Sequence, residues 1–225
     1  MNNHNLSPIE LARFNMIEQQ IRPWNVLDTR VLQLLSEVKR EDFVCAAHKS
    51  LAFGDFELPL GNNTSMLAPK VEARLLQDVQ LTGTENVLEI GTGSGYMAAL
   101  LGRMSKHVLS LEINPELAAQ AIQNLSQAIV ANVDVKVADG SDFDAIHGEF
   151  DVIVLSGSVA EIPDALTAKL KIGGRLVAIV GEEPVMRMTL VTRTSHGPQG
   201  LQITQPWDTL APRLAGFPEL EAFTF

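Results

Sequence analysis

The fold of this chain is decided by ten residues, Val87-Leu88-Glu89-Ile90-Gly91-Thr92-Gly93-Ser94-Gly95-Tyr96. The apolar start predicts a buried strand, the glycines predict a tight turn, and the residues after them predict a helix. Glycines let a backbone approach a ligand closely where a β-carbon would intervene. A dinucleotide fingerprint needs its third glycine at the position of Tyr96. The G-x-G-x-G spacing, with Glu89 in the strand, therefore favours an adenosyl amino acid, and a turn that binds nothing is the alternative.

Two further predicted strands end in acidic residues. The apolar segment from His107 to Glu112 places a carboxylate about 20 residues beyond the first glycine, where open α/β sheets bind ribose hydroxyls. A third predicted strand, Val133 to Ala138, leads into Asp139 and Gly140, which places an acceptor within reach of the exocyclic amine of adenine. Either acidic residue alone is commonly a solvated strand end. Together with the glycine turn they predict an adenosine pocket at the carboxyl edge of a parallel sheet.

The rest of the pattern alternates strands with helices, which predicts an α/β fold. Asn114, Pro115 and Glu116 supply an N-cap, a first-turn proline and a first-turn acid for one of these helices. Further strands are predicted at 150–155 and 176–180, a helix at 163–170, and a hairpin from 186–194 and 201–204. We predict a doubly wound, mostly parallel sheet of the S-adenosylmethionine-dependent methyltransferase (Rossmann-like) type, with an antiparallel C-terminal strand pair.

Three helices are predicted before the glycine turn. The capping box Ser7-Pro8-Ile9-Glu10 begins the first, which should continue to about Ile21. The second begins near Asp28, and the third runs from Pro69 to about Val79. We expect the first two to form a helical cap over the ligand edge of the sheet. The chain is expected to be a single domain, with the cap and an acceptor loop in residues 1–80 and a cofactor-binding core in residues 81–225.

Composition narrows the function classes. The formal net charge of −10, from 27 acidic and 17 basic residues, disfavours nucleic acid as a partner. The single cysteine, Cys45, the polar residues 1–5 and the lack of a long apolar run favour the cytoplasm and no membrane insertion. The five histidines have no ligand-like spacing, so no metal site is expected. The pattern does not indicate an oligomeric state.

Several segments outside the glycine turn match one family. They are Gln20-Ile21-Arg22, residues 26–32, Val38-Lys39-Arg40-Glu41-Asp42-Phe43-Val44, Phe53-Gly54-Asp55, Leu58-Pro59-Leu60-Gly61, Glu161-Ile162-Pro163 and Gly173-Gly174-Arg175-Leu176-Val177. With these segments, the chain resembles the protein-L-isoaspartate (D-aspartate) O-methyltransferases over roughly residues 15–182. The N-terminal segments and the Glu-Ile-Pro motif are far more specific to that family than the glycine turn, which many methyltransferases share.

The resemblance implies a cofactor, an activity and a set of site residues. Members of the family bind S-adenosylmethionine and methylate the misplaced carboxylate of isoaspartyl residues in damaged proteins, so the acceptor would be a protein or peptide. By position, the methionine part of the cofactor would be held by Gly91, Thr92, Gly93 and Ser94, the ribose by Glu112, and the adenine by Asp139 and Gly140. Glu89 and Ile113, which adjoin these residues, complete the candidate cofactor-binding set.

The acceptor loop departs from the family pattern. The family reads approximately Gln-Thr-Ile-Ser-Gln-Pro there, and its serine is the residue usually assigned to catalysis. Anchoring on Pro69 places Leu67 at the serine position and Ser65 at the threonine, which makes Ser65 the candidate catalytic residue. An acceptor carboxylate is already ionised at neutral pH, since its reference pKa is about 4. A loop hydroxyl would therefore orient the acceptor, because methyl transfer to a carboxylate needs alignment and no general base.

The sequence is also compatible with three other functions. Leu67 in the acceptor loop would suit a methyltransferase with a less charged acceptor. A protein that binds the cofactor without transferring its methyl group would need the same pocket. An NAD-dependent oxidoreductase is the weakest alternative, because Tyr96 breaks its fingerprint and Asp139 has no role in it. Amino-group methylation is disfavoured because residues 156–159 read Ser-Gly-Ser-Val, without an Asn-Pro-Pro-aromatic motif.

Overall fold

A computed structural model of the protein describes residues 6–61 and 64–219. The strands are β1 (Leu58–Gly61), β2 (Thr64–Met66), β3 (Asn86–Ile90), β4 (His107–Glu112), β5 (Val133–Val137), β6 (Phe150–Val159), β7 (Leu170–Glu182), β8 (Val185–Arg193) and β9 (Leu201–Asp208). The helices are α1 (Pro8–Met16), α2 (Thr29–Glu37), α3 (Pro69–Asp78), α4 (Tyr96–Met104), α5 (Pro115–Gln127) and α6 (Asp164–Thr167), with short π and 3-10 turns between some of them.

Seven strands form one sheet, in the order β5-β4-β3-β6-β7-β8-β9. Strands β3 to β7 pair in parallel, and β8 and β9 add an antiparallel pair at one edge. The predicted α/β fold, with its mostly parallel sheet and antiparallel C-terminal strands, is therefore confirmed. The strand order reverses between β3 and β6, and ligands of open α/β sheets bind outside the carboxyl ends of the strands at such a switch point.

The core lies on both faces of this sheet, because side chains alternate along each strand. Val87 on β3 packs on one face with helices α2, α3 and α4. Its neighbour Leu88 packs on the other face, where Leu166 of α6 and Phe217 of the C-terminal segment cover the sheet. Central strands are therefore apolar on both sides, as expected for parallel strands enclosed by helices.

The helices before the sheet begin where the sequence predicts. The Ser7 capping box is present at α1, and the Asp28 side chain caps α2 by accepting from the Arg30 backbone N–H. The apolar stripe of α2, which includes Val31 and Leu35, is buried against the α3–α4 side of the sheet. The helices thus cover a face of the sheet, and the expectation that they also lie over its ligand edge stays a prediction. The β1–β2 hairpin of residues 1–80 reaches that edge.

Two local predictions differ from the structure. The acceptor segment, expected as a loop, forms the antiparallel pair of β1 and β2, although Asn62 and Asn63 lie outside the described residues. The helix expected at 163–170 is only α6, because Leu170 already pairs with Phe150 as part of β7. Strand pairing therefore outcompetes the local helical pattern at that position.

The segment after β9 returns to the centre of the sheet. Ser158 of β6 donates its backbone N–H to the Pro212 carbonyl (2.7 Å) and accepts from the Leu214 N–H (2.9 Å). Its hydroxyl also donates to the Ala211 carbonyl (2.8 Å). These bonds fix residues 211–214 beside the carboxyl end of β6. Among the helices of residues 6–61 and 64–219, none is long and apolar enough to cross a bilayer.

Candidate active site

A cavity of about 260 Å³ lies at the carboxyl ends of β3 and β4. The strands and the turns that follow them contribute Ile90, Gly91, Gly93, Leu111, Glu112, Ile113, Gly140 and Ser156 to its wall, and α5 contributes Leu117. The hairpin contributes Leu60, Thr64 and Ser65, and the segment after β9 contributes Pro212, Arg213, Leu214 and Ala215. The cavity is thus enclosed by three parts of the chain that are distant in sequence.

The glycine turn is held in a conformation that other residues adopt with strain. Gly91 has φ +92° and Gly95, the N-cap of α4, has φ +83°. A β-carbon at Gly95 would lie 3.3 Å from the backbone of Ala121 on α5, so the turn also requires a close approach between two elements. A β-carbon at Gly91 would lie 2.7 Å from Leu214 in the cavity wall. Gly91 and Gly93 therefore shape the cavity wall, while Gly95 lets the start of α4 approach α5 closely.

Glu112 lies at the cavity with its carboxylate fixed by the backbone. One oxygen accepts from the Gly93 N–H (2.8 Å) and the other from the Asn114 N–H (3.0 Å). Because each carboxylate oxygen has two lone pairs, both can still accept from a hydroxyl of a ligand. This acidic side chain at the end of the second parallel strand is therefore arranged as a ribose site requires.

Glu89 is fully buried beneath the glycine turn and does not line the cavity. Its carboxyl oxygens accept from the hydroxyls of Ser110 (2.6 Å) and Ser156 (2.7 Å). Burial raises the pKa of Glu89 to about 7, with the carboxylates of Glu72 and Glu112 acting in the same direction and the two serines acting against them. Glu89 thus stabilises the glycine turn from below and does not line the cavity.

Thr92 and Ser94 are also turned away from the cavity. The Thr92 hydroxyl lies 2.6 Å from that of Ser110, which already donates to Glu89, so Thr92 acts as the donor in this pair. The Ser94 hydroxyl accepts from the Tyr96 N–H (3.3 Å), and its side chain is buried. Both residues stabilise the turn from beneath, and within residues 91–95 only Gly91 and Gly93 line the cavity.

Of the residues predicted to bind the cofactor after β4 and β5, two line the cavity and one does not. Ile113 is 47% exposed and, with the buried Gly140, lines the cavity. A β-carbon at Gly140 would clash with the Ile90 side chain, which explains the glycine there. Asp139 is exposed, accepts from the backbone and hydroxyl of Ser141 (2.9 and 2.7 Å), and lies outside the cavity wall.

The hairpin presents hydroxyls to the cavity and keeps Leu67 out of it. Thr64 and Ser65 line the cavity, and the Thr64 hydroxyl is committed to the Gly61 carbonyl (2.7 Å). Leu67 is 3% exposed and packs in the hydrophobic core. Its carbonyl accepts from the buried Arg40 guanidinium (2.6 Å), which also pairs with Glu72 of α3. Arg40 thereby fixes the end of the hairpin to the helix that follows it.

Sequence reasoning missed the wall formed by residues 212–215 and by Ser156. The segment has no strand or helix periodicity, and its place is fixed by hydrogen bonds to Ser158, more than 50 residues earlier in the chain. No local signal placed this wall, because the hydrogen bonds that fix it join residues 211–214 to Ser158 of a distant strand.

The sheet order, the glycine turn and the acid at the second strand end define a Rossmann-like methyltransferase fold. Two solved structures share it. A protein-L-isoaspartate O-methyltransferase of Plasmodium falciparum in complex with S-adenosyl-L-homocysteine superposes with a TM-score of 0.73 at 18% identity, covering 92% of this chain and 98% of that one. A second protein-L-isoaspartate O-methyltransferase superposes with a TM-score of 0.75 at 23% identity, covering 91% and 66%.

The chain belongs to the protein-L-isoaspartate(D-aspartate) O-methyltransferase family, whose model matches residues 12–207. Protein-L-isoaspartate O-methyltransferase 1 of Syntrophobacter fumaroxidans is 38% identical over 193 residues, which are 86% of this chain and 89% of that protein. The enzyme of Koribacter versatilis is 37% identical over 192 residues, 85% and 86% of the two chains. The family predicted from the sequence is confirmed, and the match extends beyond the predicted range of 15–182 at both ends.

Proposed function

We propose that this protein transfers a methyl group from S-adenosylmethionine to the free carboxylate of isoaspartyl residues in proteins and peptides. The observation that supports this proposal is that one cavity is lined by the glycine turn, by Glu112 and by the hairpin residues Thr64 and Ser65. A cofactor held at the strand ends and an acceptor held at the hairpin would meet in this space. The family membership and the relatives' names support the same activity and cofactor.

The residues of the cavity fit the cofactor. Glu112 offers lone pairs to ribose hydroxyls, and Ile113 presents an exposed apolar side chain to the flat face of adenine. Gly91, Gly93 and Gly140 provide backbone without β-carbons along the wall. When bound, the cofactor supplies a methyl group on a positively charged sulfur.

Four other predicted residues take different roles in the proposal. Glu89, Thr92 and Ser94 act beneath the turn, where they hold Gly91 and Gly93 in place without contacting the cofactor. A contact between adenine and Asp139 stays a prediction, since its carboxylate is turned to Ser141 and lies outside the wall.

The reaction needs orientation and exclusion of water. The acceptor carboxylate is ionised near neutral pH, and one of its oxygens forms the new O–C bond. Transfer from the sulfonium to this oxygen would leave a neutral ester and a neutral thioether, so the residues of the site need supply no group that accepts a proton. Ser65 donates a hydrogen bond that orients the acceptor, and Leu60 and Leu214 provide apolar walls that exclude water. Alignment of this kind can contribute about 7–11 kcal/mol to lowering a barrier.

The structure removes the reason for considering a methyltransferase with a less charged acceptor. It was based on Leu67, which is buried in the core and contributes no side chain to the cavity. The hairpin residues at the cavity include two with hydroxyls, Thr64 and Ser65, which suit a polar acceptor.

The test is methyl ester formation with labelled cofactor on a synthetic isoaspartyl peptide. The matched control is the same peptide with a normal aspartyl residue, which has the same composition and charge. We expect base-labile label on the isoaspartyl peptide alone. Absence of label above the control would contradict the proposal, and cofactor binding without such transfer would favour a cofactor-binding protein instead. The cytoplasmic location and the exclusion of nucleic acid stay predictions from composition.

A further inference from the structure

Arg213 is the cationic side chain of the cavity wall. Of the described residues that line the cavity, it is the one Lys or Arg, and Glu112 is the one acid. The Glu112 carboxylate is already bound by two backbone N–H groups. An anion that enters this cavity therefore meets a single positive group, and that group lies on the segment that sequence analysis left without a role.

The backbone of Arg213 is held in place, while one nitrogen of its guanidinium has no hydrogen-bond partner among the described residues. Residues 213 and 158 form a parallel β-bridge, so the arginine is anchored to the end of β6. Its Nε pairs with Glu219 at 3.3 Å. Its Nη1 is buried and has no hydrogen-bond partner among the described residues. A buried donor without a partner destabilises a protein, so this Nη1 group gains when an acceptor reaches it.

The acidic residues near Arg213 make the arginine the favourable point for a carboxylate to bind in this region. Behind the segment, a second shallow cavity is lined by Arg213 together with Glu57, Glu182 and Glu183. The chain as a whole carries a formal net charge of −10. A substrate carboxylate would be repelled by these surroundings unless a cation lay at the point of binding. Arg213 supplies that cation between the acidic side and the cavity.

We propose that Arg213 binds the isoaspartyl carboxylate that accepts the methyl group, an inference that rests on the proposed function. An arginine N–H forms a strong, charge-assisted hydrogen bond to a carboxylate. The charge of this acceptor disappears when the ester forms. Arg213 therefore holds the substrate and the transition state similarly and the neutral ester less tightly, so its contribution lies in KM and it does not retain the product.

The test compares Arg213→Met, Arg213→Lys and Glu219→Gln with the wild type on an isoaspartyl peptide. We expect Arg213→Met to raise KM about 10- to 100-fold, the equivalent of one charge-assisted hydrogen bond, with kcat changed much less. Arg213→Lys should restore part of the loss because it retains the charge. Glu219→Gln should lower KM, because it removes the carboxylate that competes for the same guanidinium.

Calorimetry with S-adenosyl-L-homocysteine separates the acceptor from the cofactor. This ligand carries the amino-acid carboxylate of the cofactor, and its Kd should stay within about twofold of wild type in Arg213→Met. An unchanged KM, or a Kd that weakens as much as KM rises, overturns the inference while the wild-type activity upholds the proposed function. A wild type without activity contradicts the proposed function itself. If Arg213→Met fails to fold, the opposite KM changes expected for Arg213→Lys and Glu219→Gln carry the test.

Discussion

Replacing Glu89 by glutamine should make the stability of this protein less sensitive to pH. Glu89 is fully buried, and burial raises its pKa from the ordinary 4.5 to about 7. Because the folded pKa lies above the unfolded one, the unfolded chain releases this proton first. Stability from Glu89 is therefore complete below about pH 4.5 and is lost as pH rises toward about 7.

The size of this stability change follows from the pKa values of Glu89 in the folded and the unfolded chain. A difference of 7 − 4.5, about 2.5, at 1.36 kcal/mol for each pH unit corresponds to about 3 kcal/mol. Most of this loss, about 2–3 kcal/mol, falls between pH 5 and pH 8. A glutamine cannot ionise, and its amide can accept from Ser110 and donate to Ser156, the two residues that now donate to Glu89.

The assay is urea unfolding of wild type and Glu89→Gln at about pH 5 and about pH 8. The free energy of unfolding of the variant, relative to wild type, should rise by about 2–3 kcal/mol between these conditions. The matched control is Glu85→Gln. Although burial acts to raise it, hydrogen bonds from Thr82 and Arg175 lower the pKa of Glu85 to about 2, so its contribution is constant above about pH 4.5 and the control should show no such rise. An equal difference between Glu89→Gln and wild type at both pH values would refute the reasoning.

Three further substitutions test the site and its support. Glu112→Ala should weaken S-adenosyl-L-homocysteine binding about 10- to 100-fold in calorimetry, because charged acceptors are lost at the cavity; unchanged binding would exclude Glu112 from the cofactor site. Gly95→Ala should lower the free energy of unfolding by more than the roughly 1–2 kcal/mol expected for Gly148→Ala, since both have positive φ but only Gly95 faces a close neighbour; equal losses would contradict the packing argument. Arg40→Met should destabilise by about 3–5 kcal/mol because it leaves Glu72 buried and unpaired, and adding Glu72→Met should recover part of this loss in the same unfolding assay; no recovery would argue against the pairing.

Local patterns predicted the elements that the sheet required. The strand at 87–90, the glycine turn and the helix after Asn114 were all predictable, because buried apolar runs, positive φ and N-caps each have a short-range sequence signal. Glu112 was predictable for the same reason, since it ends a strand beside the glycine turn. Its hydrogen bond to the Gly93 N–H is the contact that this placement implies.

The direction in which side chains point was not predictable. Glu89 and Thr92 belong to the glycine motif by sequence, but strand alternation and the turn place them beneath the cavity, against Ser110. Leu67 matched a catalytic position by alignment, yet the β1–β2 pairing and the Arg40 clamp place it in the core. Arg213 depends on a bridge to Ser158, and a contact between such distant residues has no local pattern.

The anchoring of residues 211–214 on β6 also sets when the enzyme becomes complete during synthesis. The hairpin and the strand ends leave the ribosome long before residues 212–215, and a domain folds as a unit only once its parts are available. A nascent chain therefore carries the glycine turn and Glu112 in a groove that is open on one side. The cavity wall is therefore closed on that side only after residues 212–215 have been synthesised and have paired with β6.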